Sequence, residues 1–571
     1  MRASYIRFVH RLAFALAGIV LMEGLSHAQD RGQARSMVIS QYGIVAAESP
    51  LAAQAGVAIL ERGGSAVDAA IAANAVMGVV APMSNGLGGD LIAIVYDAKT
   101  GKYYGLNSSG WAPAGLTIEH LHQKGILAMP ERGINSVTVP GVVDGWQKLL
   151  DRFGRKKFSE DLAPAIHTAE DGFPVTEWVA LTWSQDLDLL RTNEAASQTY
   201  LVGDRTPRVG EIFRNPDLGW SLRQIAQGGR DAFYKGEIAR RILEASRRHD
   251  GTMTAQDLAD FQGEWVEPIS TTYRGWNVYE MPPNSQGIAA LEMLNIMETF
   301  PLAQFGLNST RALHVMIEAK KLAYADLQRY IGDPAFGKLP VAGLLSKDYA
   351  ATRARSIDMD RANCDAGAGT PLPVGGDTIY LSVVDRDGNM ISLIQSNYLG
   401  FGSGIVAEGT GFVLQDRGAL FSLDLASPNA LAGHKRPLHT IIPAFLENGQ
   451  TRIAFGIMGG WNQAQAHAQF VSHVVDFKQN IQAALETPRF TKPDFTGCGV
   501  LLENRVPGSV RSELQAKGHK LEMHGGYSDL FGGGQAVMRD FAAGVNYGAS
   551  DPRKDGEAIP ELPSLPIPMK K

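Results

Sequence analysis

The sequence predicts a mixed α+β protein on three observations: a small-residue helical stretch near its start, a broad helix-rich middle, and strands that follow an abrupt loss of periodicity before residue 378. Within residues 50–80, Leu51, Ala55, Ala58 and Ile59, then Val67, Ala70, Ile71 and Ala75, recur at three- and four-residue spacing. Gly63-Gly64 divides this stretch into two helices, and faces this rich in alanine suit close packing on a sheet. Residues 91–96 form an apolar, β-branched run between Gly88-Gly89 and Lys99-Thr100-Gly101, the pattern of a buried strand running into a turn. Residues 145–350 are dominated by helical periodicity, as in 311–331, which Gly332-Asp333-Pro334 stops. They predict a helical layer that carries no catalytic residue.

The 571 residues, 45% hydrophobic and 20% charged, are ordinary globular composition, and the length permits more than one domain. A net charge of −6 with interspersed signs offers no basic field for a nucleic-acid partner. The first residues carry a basic head (Arg2, Arg7, Arg11), an apolar run over 12–22, and Leu25-Ser26-His27-Ala28, which ends in a small residue. This predicts a signal peptide over 1–28, because such a run is far shorter than the ~20 residues a membrane anchor needs. A periplasmic or secreted protein without a membrane anchor is expected. Cys364 and Cys498 are the only cysteines, too few for a disulfide framework or a cysteine zinc site, and leave open one bridge or two thiols. The 13 histidines show no pair at the spacing of a metalloprotease helix, so neither a metal nor another cofactor is expected.

Over residues 365–377 the apolar period is lost in a Gly- and Pro-rich stretch, Asp-Ala-Gly-Ala-Gly-Thr-Pro-Leu-Pro-Val-Gly-Gly-Asp. Such a connector is a natural place for chain cleavage. Residues 378–384 then read as a strand, Arg386-Asp387-Gly388-Asn389 as a tight turn, and 390–394 as the returning strand. With Asp387-Gly388 at the centre of the turn, Thr378 falls opposite Asn397 and next to Ser396. A threonine hydroxyl needs a base to become a nucleophile, and an N-terminal α-amine, with a reference pKa of about 7.7 to 8.0, is one such base. That chemistry requires a break between Asp377 and Thr378. Taken alone, the hairpin favours an ordinary strand start, as β-branched residues often provide.

The company of this hairpin changes the weighing. Gly375-Gly376-Asp377-Thr378, Ser382-Val383-Val384-Asp385, Gly400-Phe401-Gly402-Ser403-Gly404, Lys435-Arg436-Pro437-Leu438 and Gly459-Gly460 resemble the small-subunit segments of the gamma-glutamyltransferase family. Upstream, Glu61-Arg62-Gly63-Gly64-Ser65-Ala66-Val67-Asp68, Gly88-Gly89 and Val139-Pro140-Gly141 continue the likeness, and Asp551-Pro552-Arg553-Lys554-Asp555-Gly556 carries it near the end. The resemblance implies a four-layer αββα N-terminal nucleophile hydrolase. It further implies one precursor cut into a large subunit (29–377) and a small one (378–571) that stay associated, a dimer of such pairs being one permitted assembly. Thr378 becomes the nucleophile, Ser396 stands where a threonine that contacts it is usual, and the N–H groups of Gly459 and Gly460 form the oxyanion hole.

The likeness fails where glutathione-cleaving members hold the glutamyl group. Ser109, in Ser108-Ser109-Gly110-Trp111-Ala112-Pro113, stands at the place of the arginine that grips the α-carboxylate. Tyr398 and Leu420 replace the groups that hold the α-amine, and neither accepts a bond from an ammonium as a carboxylate does. His439-Thr440 replaces a serine pair, while Arg417 supplies a cation. This pattern resembles the amidohydrolase branch of the family and points to a small amide substrate with an acidic group near the scissile bond. Arg417 on the surface, Trp111 as core filler and Tyr398 as a strand aromatic are the plain structural alternatives. Competing functions are true gamma-glutamyl transfer with a rearranged clamp, and a non-catalytic periplasmic binding protein of the same fold. A dinucleotide enzyme fits poorly, because Gly400, Gly402 and Gly404 have the wrong spacing for its phosphate loop.

Overall fold

The two early helices form as Pro50–Glu61 (α1) and Ala66–Val80 (α2) in a computed structural model that describes residues 33–366 and 377–563. The expected signal peptide and residues 367–376 of the connector lie outside the described residues. Ser65 starts α2 with a reciprocal cap: its hydroxyl accepts the Asp68 N–H and the Asp68 carboxylate accepts the Ser65 N–H. Such a cap contributes about 1 kcal/mol.

The strands of the two large sheets are Val38–Ser40 (β1), Ile44–Ala47 (β2), Asp90–Asp97 (β3), Lys102–Ser108 (β4), Glu264–Val266 (β5), Ile269–Tyr273 (β6) and Trp276–Glu280 (β7) in the first part of the chain. After the connector come Asp377–Val384 (β8), Met390–Tyr398 (β9), Ala444–Asn448 (β10), Thr451–Ile457 (β11), Gly534–Asp540 (β12), Val545–Ser550 (β13) and Glu557–Pro560 (β14). They build two seven-stranded antiparallel sheets, ordered β14-β2-β8-β9-β3-β4-β5 and β1-β13-β12-β11-β10-β7-β6. Both sheets contain strands from before and after residue 377. A cut at that point therefore leaves two chains that share both sheets.

Side-chain alternation sorts the core into three apolar layers. Ile379, Leu381, Val383 and Leu393 of β8 and β9 meet α1 and α2 on the outside of the first sheet. Tyr380, Val384, Met390 and Ile394 meet Phe445, Ala454 and Val537 between the sheets. Ala444, Leu446, Ile453 and Phe455 meet the helices Gly287–Met297 (α3), Thr310–Tyr330 (α4) and Asn462–Val475 (α5) on the outside of the second. Helix, sheet, sheet, helix is the four-layer α+β sandwich that the resemblance implies. The central strands are buried on both faces, so residues 91–96 show a continuous apolar run in place of alternation.

Residues 145–350 depart from the single helical layer expected. Val142–Phe153 and Pro216–Tyr234 lie with the first sheet's helices, whereas α3 and α4 cover the second sheet. Three short strands of the two large sheets, β5 to β7, also fall in this stretch, as does the small pair Phe173–Pro174 and Ile212–Phe213, and pairing of β5 and β7 with β4 and β10 at the sheet margins overrides their weak local pattern. Cys364 and Cys498 are bonded to one another, which joins the segment before the connector to the strand Gly499–Glu503. Among the described residues no helix is long and apolar enough to cross a membrane.

Candidate active site

The hairpin that begins the second part of the chain turns through three residues, not two. Asp385 N–H donates to the Asn389 carbonyl (3.0 Å), Gly388 sits at φ +85°, and Val384 pairs with Met390. The cause lies in Asp385, whose carboxylate accepts the N–H groups of Asp387 (3.0 Å) and Asn389 (2.9 Å) and so props a longer loop. This shifts the register by one, to Ile379 opposite Gln395, and an irregularity between Asp377 and Ile379 shifts it back, to Asp377 opposite Tyr398. Thr378 thus lies in a bulge beside Ser396 and Asn397. Its hydroxyl donates to the Ser396 hydroxyl oxygen (3.2 Å), which also accepts the Tyr398 N–H (2.8 Å). Gly89 permits the close approach of the neighbouring turn, since a Cβ there would stand 2.5 Å from the Ser396 carbonyl oxygen.

Ser396 pairs across the sheet with Asp90, a residue the sequence analysis did not single out. One Asp90 oxygen accepts the Gly110 N–H (2.6 Å) and Gln415 Nε2 (2.7 Å), and the other lies 2.8 Å from His439 Nε2. His439 Nδ1 accepts the Ile441 N–H at 3.3 Å, so the ring carries its proton on Nε2. Burial, together with the charge of Arg417, pushes the His439 pKa down to about 4, against the pull of Asp90. The ring is neutral with both nitrogens engaged, which removes it from the pair of carboxylate-binding groups expected with Arg417.

Arg417 is fully buried, not a surface residue. Its NH1 donates to the Thr440 hydroxyl (2.7 Å), its guanidinium lies 4.7 Å from the Tyr398 ring centre, and its Nε stands 3.9 Å from Asp90. Nε and NH2 have no hydrogen-bond partner among the described residues. Burial lowers the Arg417 pKa more than Asp90, Tyr398 and Asp416 raise it. Orphaned N–H groups on a buried guanidinium are costly, and they present the planar fork that a carboxylate fills. Beside it, Asp416 is held up to about pH 7 by burial, with Arg132 opposing. One Asp416 oxygen accepts the Leu399 N–H (3.1 Å), while the other has no hydrogen-bond partner among the described residues and lies 3.6 Å from Arg132 NH1.

The remaining expected residues divide. Asn397 sits under the bulge with its N–H on the Ser84 carbonyl (3.0 Å), and Tyr398 ends β9 at φ +80°. Ser109 does not join the cluster: its hydroxyl donates to Asn107 (2.7 Å) and accepts from Asn284 (3.4 Å). Leu420 is buried in an apolar cluster, and Trp111 packs edge-on against Phe261. Gly459 and Gly460 lie between β11 and α5 at φ +117° and +56°. Among the described residues neither N–H finds an acceptor. Against expectation, the helix-rich middle reaches the site through Asn284, whose carbonyl accepts the His439 N–H (2.8 Å), and Gln286, whose Nε2 donates to Gly460 (2.9 Å). Both sit in the turn before α3, where no periodicity marks them.

Residues 52–561 match the family described as Gamma-glutamyltranspeptidase. The chain is 37% identical to the Glutathione hydrolase-like YwrD proenzyme of Bacillus subtilis, over 91% of this chain and 99% of that one. It is 34% identical to the Oxamate amidohydrolase proenzyme of Klebsiella pneumoniae, over 91% and 98%. The cephalosporin acylase of Bacillus halodurans superposes with a TM-score of 0.86 at 41% identity, over 93% of this chain and 98% of that one. The four-layer arrangement is that of the N-terminal nucleophile hydrolases.

Proposed function

The chain belongs to the gamma-glutamyltranspeptidase family of hydrolases and acyltransferases, and on that premise we propose that it cleaves an amide through an N-terminal threonine, Thr378. The carrying observation is the Thr378 hydroxyl, buried between the sheets and bonded to Ser396 at 3.2 Å. In this reading the precursor is cut between Asp377 and Thr378, and the freed α-amine takes the hydroxyl proton. Oγ1 then bonds to the substrate carbonyl carbon while the N–H groups of Gly459 and Gly460 hold the oxyanion. Collapse expels the protonated amine and leaves an ester on Thr378, which water cleaves. Two relatives named as proenzymes support the precursor. The Cys364–Cys498 bond supports export to an oxidising compartment.

For the substrate, the open Nε and NH2 of Arg417 favour a small amide whose acyl part carries a carboxylate. A relative named oxamate amidohydrolase fits that chemistry. True gamma-glutamyl transfer keeps one observation in its favour, the Asp416 oxygen without a hydrogen bond, which could take an ammonium beside the Arg417 fork. A non-catalytic binding role is not favoured, given relatives named as hydrolases and acylases.

Two measurements test this. N-terminal sequencing of the smaller chain is expected to read Thr-Ile-Tyr-Leu-Ser, and Thr378→Ala to leave an uncut, inactive, folded precursor. A single full-length chain with full activity would overturn the mechanism. Steady-state kinetics on oxamate, a neutral acyl amide and glutathione then separate the two substrate readings, and glutathione is expected to be the poorest.

A further inference from the structure

The carbonyls of the Gly459-Gly460-Trp461 turn are all tied back into the protein. The Gly459 oxygen accepts the Asn462 N–H (2.9 Å), and the Gly460 oxygen accepts the Gln463 N–H (3.3 Å). The Trp461 oxygen accepts the Tyr324 hydroxyl at 2.5 Å. In a trans peptide the C=O of one residue is antiparallel to the N–H of the next. The tie on the Gly459 oxygen therefore aims the Gly460 N–H, and Asn462 Nδ2 on the Met458 oxygen (3.4 Å) aims the Gly459 N–H. The tie on the Gly460 oxygen fixes the plane that follows and with it the ψ of Gly460. Two glycines at positive φ have no side chains to hold that geometry. Whatever grips their carbonyls sets it.

Gln286 is that grip from outside the turn. It is fully buried, and its Nε2 donates both to the Gly460 oxygen (2.9 Å) and to the Thr440 oxygen (2.5 Å). Its own N–H donates to the His439 carbonyl (2.9 Å), and its Oε1 lies 3.3 Å from the Tyr324 hydroxyl. One side chain thus spans the glycine turn and the 439–440 stretch that anchors Arg417 NH1.

We propose that Gln286 is a positioning residue for amide hydrolysis, fixing the Gly460 end of the turn that carries the Gly459 and Gly460 N–H groups and keeping that turn at a set spacing from the Arg417 fork. The proposal rests on the threonine mechanism above. Gln286 touches no reacting atom, so its effect belongs to the state in which the carbonyl π pair has become an oxyanion. It therefore acts on kcat and not on KM. A side chain that merely satisfied two carbonyls would lower stability and leave the kcat of the folded enzyme alone.

Gln286→Met keeps the length and removes the donors. Losing an oxyanion donor outright costs about 10²- to 10³-fold in kcat. Loosening one is expected to cost roughly 10- to 100-fold, with KM within about threefold and both chains still formed. Binding of a carboxylate-bearing boronic acid, which adds Thr378 to give a tetrahedral anion, is expected to weaken by the same factor, while binding of succinate is unchanged. Tyr324→Phe loosens the same turn from the Trp461 side and serves if the methionine variant does not fold. It is expected to lose kcat severalfold in the same pattern. A loss confined to KM, an equal loss for boronic acid and succinate, or an unchanged kcat overturns the proposal alone. A wild-type enzyme indifferent to the boronic acid, or an active Thr378→Ala, sinks the threonine mechanism and this proposal with it.

Discussion

Arg417 and Arg553 both have side chains at 0% exposure, yet they are bonded in opposite ways. Arg553 Nε and NH2 donate to the two Glu503 oxygens (2.7 and 2.8 Å), and its remaining donors reach Asp551 and the carbonyls of Leu485 and Thr487. Burial works against its charge, and Asp551 and Glu503 more than offset it, so its pKa is raised. Arg417 spends one donor nitrogen on Thr440, keeps two orphaned, and has its pKa lowered. A saturated buried arginine belongs to the architecture, here tying the end of the chain to the second sheet's helices. An unsaturated one is a standing cost that a ligand removes.

The comparison breaks most sharply under paired substitution. Arg553→Met leaves Glu503 and Asp551 short of a counter-charge, and breaking a buried pair costs about 3–5 kcal/mol. Denaturant unfolding is expected to show that loss, with activity on every substrate falling together. Arg417→Met is expected to leave stability unchanged or raised, because it removes an unmet charge. It is expected to lower kcat/KM for an acidic amide by on the order of a thousandfold and for a neutral amide far less. Equal losses on both amides would mean that Arg417 is structural after all.

A smaller effect sharpens the Arg417 side. Asp416 is neutral below about pH 7 and ionises above it, placing a negative charge beside the fork. The KM for an acidic amide is therefore expected to rise severalfold above pH 7, and Asp416→Asn to flatten that rise. For stability, a raised carboxyl pKa means that the folded state holds a proton which the unfolded chain has lost. This contribution weakens the fold as pH climbs from about 4 to 7, and Asp416→Asn removes it. A KM profile that keeps its slope in the variant would assign the titration to another group.

The smallest effect concerns the tie between the two chains. With the cut before Thr378, Cys364 lies near the end of one chain and Cys498 in the other. On a denaturing gel the two are expected to migrate together without reductant and apart with it. Cys364→Ser is expected to separate them in either condition with kcat unchanged, since the shared sheets hold the pair together. Separation without reductant in the wild type would place the cut elsewhere or leave the bridge unformed.

Local pattern was enough for some of this molecule. The α1–α2 pair, the apolar β3 run and the loss of period before residue 378 are written in residue spacing, because helix, strand and turn each impose a short period on their own residues. Motifs nominated Thr378, Ser396, Gly459 and Gly460, and the fold brings the first two within 3.2 Å of each other. What tertiary structure alone decided are the relations between distant residues. The Asp385 loop and the bulge at Thr378 set the register between them, and the helical middle split across two faces. Asp90 came to pair with Ser396 and hold His439 as a neutral ring, and Gln286 came to span two turns. Partners separated by tens to hundreds of residues leave no periodic trace. Nor can a single arginine in the sequence announce whether its donors will be filled, because that depends on which carboxylates the fold brings within about 3 Å of it.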